Sequence, residues 1–167
     1  MSRDFCYLCV QKIESMDFYN ILLNAHKGFG YLEILLVTLF IIALLATMFG
    51  FSGKVNKFLK KTTLFTMIFF HVQFLLGIIM LITTFSKGLN MGEVMKNAAL
   101  RFQYVEHPFS MLIAAVLMTI VNKKVKSNDT ISLGVVIMGL IAVGLFAFAF
   151  PWTESSGLKK IKKLYAL

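Results

Sequence analysis

Long uncharged stretches constrain this chain more than any other feature. Residues 62–85 and 131–152 contain no Asp, Glu, Lys or Arg, and residues 28–51 contain only Glu33. A helix needs about 20 mostly apolar residues to cross a hydrocarbon layer about 30 Å thick. The stretches do not alternate apolar and polar residues, as the strands of a membrane β-barrel do. They therefore predict transmembrane helices.

A fourth span is less uniform. Residues 108–121 are apolar, and the span reaches crossing length only if it begins near residue 102. The predicted fold is an all-α, four-transmembrane-helix bundle in one domain, with terminal extensions at residues 1–18 and 153–167. The composition, 58% hydrophobic and 15% charged, excludes an ordinary soluble domain. Residues 91–106 predict an amphipathic helix on the surface, before Pro108 redirects the chain.

The lysines predict the topology. The first and third connections between spans contain seven of them, Lys54, Lys57, Lys60, Lys61, Lys123, Lys124 and Lys126. The positive-inside rule places these connections in the cytoplasm and both termini in the periplasm of a bacterial inner membrane. The basic tail, residues 159–163, argues against this orientation. Lysines next to apolar spans fit contact with lipid headgroups, so the net charge of +9 does not predict nucleic-acid binding.

The three histidines are the most informative polar residues, because each lies in or near a different one of the first three spans. His71 stands nine residues into an uncharged span, while His107 and His26 lie near the ends of theirs. A neutral imidazole inside a span either locks helix packing through a hydrogen bond or binds a metal, including haem iron. Three such residues on three helices favour ligation.

The rise of a helix, 1.5 Å per residue, suggests which histidines share an ion. Counted from the cytoplasmic ends of the apolar spans, His71 and His107 differ in depth by about 7 Å. On the same count His26 lies about 16 Å above His107. We therefore expect His71 and His107 to be the axial pair. His26 with His107 is the second choice, should the first helix kink near Gly28 or Gly30.

Three charged residues accompany the histidines. Glu106, next to His107, either orients that imidazole or pairs with Arg101. Glu33 either relays protons or, as we expect, forms a structural ion pair with Arg101 across the bundle. With a haem present, Arg101 and His26 would contact its carboxylates or a quinone at the outer rim.

The two cysteines, Cys6 and Cys9, form a C-x-x-C pair. Val10 follows them where covalent haem attachment needs a histidine, so a c-type cytochrome is excluded. Two cysteines do not make a four-cysteine metal site. A reversible disulfide and two unpaired thiols both stay open.

The chain resembles small bacterial four-helix membrane proteins of a cytochrome b-like type, which carry three sparse histidine motifs. The resemblance covers roughly residues 17–152. It rests on short motifs at residues 23–26 (LNAH), 71–73 (HVQ), 105–107 (VEH), 111–116 (MLIAAV) and 150–152 (FPW). It implies a membrane-embedded haem b and electron transfer. Lys27 departs from the pattern, because those proteins carry an uncharged residue there.

The leading functional hypothesis is therefore a b-type haem protein that passes electrons between quinol and a partner. No catalytic motif is present, so the chain is at most an electron-transfer component of oxidoreductase type. The alternative is a cofactor-free accessory subunit of a larger membrane complex, in which the histidines only pack and hydrogen-bond. A third hypothesis is a metal-handling or transport site formed by His26, Glu33 and His107.

Overall fold

The computed structural model describes residues 3–50, 52–86, 88–150 and 152, with side chains from residue 18 onwards. This part of the chain is helical, and its only β pairing is one isolated bridge. Two five-residue π-helical turns are present. Ala46–Gly50 follows the first long helix, and Phe102–Glu106 precedes the helix that begins at His107. The helices are α1 (Arg3–Leu45), α2 (Lys57–Ser86), α3 (Met91–Lys96), α4 (Ala98–Arg101), α5 (His107–Ser127) and α6 (Leu133–Ala149).

Three segments are long and apolar enough to cross a membrane: Phe18–Gly50, Lys57–Ser86 and Ala98–Ser127. The fourth apolar helix, α6, has 17 residues and is shorter than the predicted span of residues 131–152. It ends because Phe150 precedes a proline, which disfavours the helical region for the residue before it, and Phe150 is extended with ψ 129°. The all-α class and the long apolar helices agree with the sequence prediction.

The four long helices pack in the order α1, α2, α5, α6. Contact is extensive between α1 and α2, between α2 and α5, and between α5 and α6, but slight between α1 and α6. Helices α1 and α5 therefore lie diagonally across the bundle. Large buried side chains from all four helices form the core, among them Phe40, Leu44, Phe70, Met118 and Phe146.

Both lysine-rich connections lie at the same end of the bundle. Lys54 and Thr130 form an antiparallel bridge, supported by backbone hydrogen bonds from Val55 N–H to Asp129 O (2.8 Å) and from Ile131 N–H to Gly53 O (2.9 Å). Gly53 makes this tight pairing possible with φ +77°, a conformation that side chains disfavour. The two basic segments thus form one charged surface.

The opposite end carries the short helices. Residues 91–106 do not form the single surface helix that the sequence predicts, because Asn97 is extended and ends α3. The Asn97 side chain then caps α4 by accepting from Ala99 and Leu100 N–H. Val94, Leu100 and Tyr104 form a small second core beneath these turns.

Gly139 sets the approach of α6 to α1. A Cβ atom built on Gly139 would lie 3.0 Å from Phe40 Cζ and 3.7 Å from a methyl carbon of Leu44. The missing side chain is therefore the space into which Phe40, fully buried, inserts. Gly144, one and a half turns along α6, has nothing within 4 Å of the same position.

We expect Gly139→Leu to destabilise the bundle by about 1–3 kcal/mol, the usual cost of overpacking a core. Gly144→Leu is the matched control, and the better helix propensity of leucine should leave it neutral or up to about 1 kcal/mol more stable. Thermal unfolding of both variants in mild detergent measures the difference. Equal stability of the two variants would contradict the packing described here.

Candidate functional site

His26 and His107 meet inside the bundle. Their ring centroids are 6.1 Å apart and the ring planes are nearly perpendicular, at 75°. One ring comes from α1 and the other from the first turn of α5, so the pair spans the diagonal of the bundle. Both side chains are half-buried.

The ring of His107 is held by the end of a neighbouring helix. Its Nδ1 lies 2.8 Å from the carbonyl oxygen of Ala149, the last residue of α6. The last carbonyls of a helix have no partner within the helix, so this oxygen is available as an acceptor. Since a carbonyl only accepts, Nδ1 carries the proton, and Nε2 of the neutral ring keeps its lone pair.

His26 faces α2 at a glycine. A Cβ atom on Gly77 would lie 3.7 Å from His26 Cε1, an ordinary contact distance, so the backbone of α2 passes close to the imidazole. The Nδ1 atom of His26 is shielded from solvent and has no hydrogen-bond partner in the described part of the chain. A buried ring nitrogen without a partner is uncommon and costly in proteins.

Gln73 ties α2 to α1 just below this pair. Its Nε2 donates to the backbone carbonyl of His26 at 3.0 Å. The side chain passes over Gly30, where a Cβ atom would lie only 3.1 Å from Nε2. Gly30 therefore allows a close approach of the glutamine, and the bond helps to place the turn of α1 that carries His26.

Glu33 lies deeper on α1 and is completely buried, with 0% of its surface exposed. Neither carboxyl oxygen meets a hydrogen-bond donor in good geometry within the described residues, and Gln73 is the polar side chain beside it. The expected ion pair with Arg101 does not form. Arg101 pairs instead with Glu106, Nε to Oε1 at 2.9 Å, because the π-helical turn brings these two together at the surface.

The side chains of Arg101 and Glu106 are each about 40% exposed. Glu106 is thus engaged by Arg101, and the acceptor for His107 Nδ1 is the Ala149 carbonyl. Of the two partners that the sequence leaves open for Glu106, the structure shows the arginine.

His71 lies apart from the other two histidines. Its ring is exposed on the outer surface of the bundle, with Nδ1 2.8 Å from Met67 O and Nε2 3.3 Å from the Thr119 hydroxyl. Thr119 is twelve residues beyond His107 on α5, or about 18 Å along the helix axis. The structure therefore brings together His26 and His107, the second choice, and separates His71 from His107.

The depth count fails because apolar segments and helices end at different residues. Helix α5 continues past Val121 through the lysines to Ser127, whereas α1 ends at Leu45 before its π turn. Counted from these ends, His107 and His26 are both about 30 Å away. The lysines at the end of α5 remain helical beyond the apolar segment, so hydropathy alone placed the end of this helix too early.

The described residues contain no group of three or more His, Cys, Asp or Glu side chains placed to hold a metal ion. The side chains of Cys6 and Cys9 lie outside the described part of the chain, and so does the choice between a disulfide and two thiols.

Comparison with family models, with curated proteins and with solved structures finds no match to this chain. The cytochrome b-like resemblance remains a prediction from the motifs.

We expect Gln73→Met to lower stability by about 1 kcal/mol, because it removes a hydrogen bond between two apolar helices while keeping the side-chain volume. Gln103→Met is the control: the side-chain carbonyls of both glutamines have no partner among the described residues, and the two differ in the bond that Gln73 Nε2 donates to the His26 carbonyl. Unfolding in detergent measures both variants. A loss of stability for Gln103→Met as large as that for Gln73→Met would refute the role of the His26 carbonyl bond.

Proposed function

We propose that the chain is a membrane-embedded b-type haem protein that transfers electrons between quinol and a partner, and that His26 and His107 would hold the haem iron. One observation carries this proposal: two imidazoles from diagonally opposite helices converge with ring centroids 6.1 Å apart. The following features support it.

The surface of the bundle fits a hydrocarbon environment. Large apolar side chains are exposed along all four long helices, for example Tyr31 at 70%, Leu75 at 60%, Ile113 at 37% and Ile141 at 49%. A soluble monomer rarely exposes so continuous an apolar surface. The basic surface formed by the two lysine-rich connections would face the cytoplasm of a bacterial inner membrane, with the histidine pair near the periplasmic side.

The spacing of the pair would allow both imidazoles to bind one metal ion. With a metal–nitrogen bond of about 2 Å for each ring, two such ring centres would lie about 6 Å apart. Ligating histidines usually donate their other ring N–H to a carbonyl or carboxylate, as His107 does to Ala149. The orphaned Nδ1 of His26 is a second sign that this ring lacks a partner.

The absence of a third ligand in the described residues favours haem over a bare ion. A structural zinc ion needs four protein ligands and a catalytic one needs three. Haem iron needs only axial ligands from the protein, because the macrocycle supplies the rest. When bound, haem supplies a reversible one-electron couple. The chain would hold the ligands through the Ala149 and Gln73 contacts, and Arg101, which already binds a carboxylate, is suited to anionic groups at the rim.

We expect His26→Ala and His107→Ala each to lose haem, while His71→Ala retains it. His71 is the matched control, because it is an intramembrane histidine that contacts only Met67 and Thr119. The measurement is a reduced-minus-oxidised absorption spectrum of each variant purified from haem-replete cells. Haem loss in His71→Ala with retention in His26→Ala would restore the pairing of His71 with His107.

The same spectrum tests the proposal as a whole. A b-type α-band and a Soret band in the wild-type chain support it. A wild-type chain without a Soret band would instead favour the cofactor-free accessory subunit, and stoichiometric co-purification of other membrane subunits would then be the next observation to make.

A further inference from the structure

Glu33 is the most unusual side chain that haem ligation leaves unexplained. It is fully buried, and both of its oxygens lack a hydrogen-bond partner in the described part of the chain. A buried carboxylate without a compensating charge costs several kcal/mol in other proteins, and ionisable residues inside membrane spans usually have a function. No other acidic residue is among the buried side chains of the described bundle.

We propose that Glu33 takes up one proton when the His26–His107 site accepts one electron, and releases that proton on oxidation. This inference rests on the proposed haem function. The chain would then couple electron transfer to proton movement inside the bundle.

The placement of Glu33 supports the coupling. Glu33 follows His26 by seven residues, so it lies on the same face of α1, two turns away. Gln73 links the two residues, since it lies beside the Glu33 carboxyl and donates to the His26 carbonyl. Charges at this separation interact more strongly in a protein interior than in water, because the interior has a low effective dielectric constant.

The charge balance gives the direction. A ferric haem carries one more positive charge than a ferrous haem, so the oxidised site compensates a nearby carboxylate. An electron from a donor of the quinol class removes that compensation. A proton from the aqueous side then forms an O–H bond at a Glu33 oxygen, and the total charge of the interior stays the same. On oxidation the electron leaves to the partner and the O–H bond breaks.

The helices packed around Glu33 contain few other ionisable side chains that could take up the proton. Helix α6 has no ionisable side chain, and α2 has only His71 between residues 62 and 85, on the outer surface. On α5 the ionisable groups are His107 and the distant Lys123, Lys124 and Lys126, and the Arg101–Glu106 pair precedes it at the surface. On α1 itself the ionisable groups from residue 18 onwards are Tyr19, His26, Lys27 and Tyr31.

Burial also identifies the species that Glu33 exchanges. With 0% of its surface exposed, the carboxyl has no room to contact the ring of a quinol directly. A proton needs no such room. The inference therefore assigns Glu33 to proton uptake and leaves quinol contact to the half-buried surface around the histidine pair.

The test is a potentiometric titration of the haem-loaded protein at a series of pH values. If one proton accompanies each electron, the midpoint potential falls by 59 mV for each tenfold fall in proton concentration across the pH range of exchange. We expect this slope in the wild type and in Glu93→Gln, the control, whose side chain is exposed on α3. Glu33→Gln should abolish the slope, and Glu33→Asp should preserve it.

A reduced-minus-oxidised infrared spectrum provides a second readout. Reduction of the wild type should produce a carboxylic-acid C=O band that is missing in Glu33→Gln and shifted in Glu33→Asp. Bound haem with a pH-independent potential, or a slope that persists in Glu33→Gln, overturns this inference alone. A wild-type chain that binds no haem overturns the proposed function and this inference with it.

Discussion

Polar groups inside a bundle of apolar helices must find their partners within the protein, and this requirement organises the interior. Most hydroxyl groups meet it locally: Thr47 and Thr63 donate to carbonyls of their own helices at 2.7–2.8 Å. A few side chains meet it across helices, and these bonds align the elements. Gln73 joins α2 to α1 through the His26 carbonyl, and His107 joins α5 to the end of α6.

Four side chains contain buried atoms that do not meet this requirement among the described residues. Two are the glutamines Gln73 and Gln103, through their side-chain carbonyls, and the other two are ionisable groups. The Nδ1 atom of His26 and the carboxyl oxygens of Glu33 are buried without hydrogen-bond partners. At an ionisable group such an exception points to a ligand or a transferable proton. The proposed haem function accounts for His26 and the inferred proton exchange for Glu33, so one hypothesis covers both ionisable groups.

The elements of the fold were largely predictable, but their depths were not. The uncharged stretches predicted the long helices. Hydropathy located the apolar blocks, whereas hydrogen bonding decides where a helix stops. Helix α5 therefore runs past its apolar block to Ser127, and the depth count misplaced His26 relative to His107. The lysines of the last turn stay helical because long basic side chains can reach the headgroup region.

By itself the sequence determined the class of protein: its apolar blocks, its charge distribution and its three histidines specify an all-α chain suited to a membrane, with few polar groups inside. Only the tertiary structure decided which of those groups meet. His26 and His107 are 81 residues apart, and their meeting depends on packing order, on Gly77 beside the imidazole, and on the helix end at Ala149. The packing order has no local signal, because contact between helices depends on rotation and offset, which periodicity along one helix does not encode.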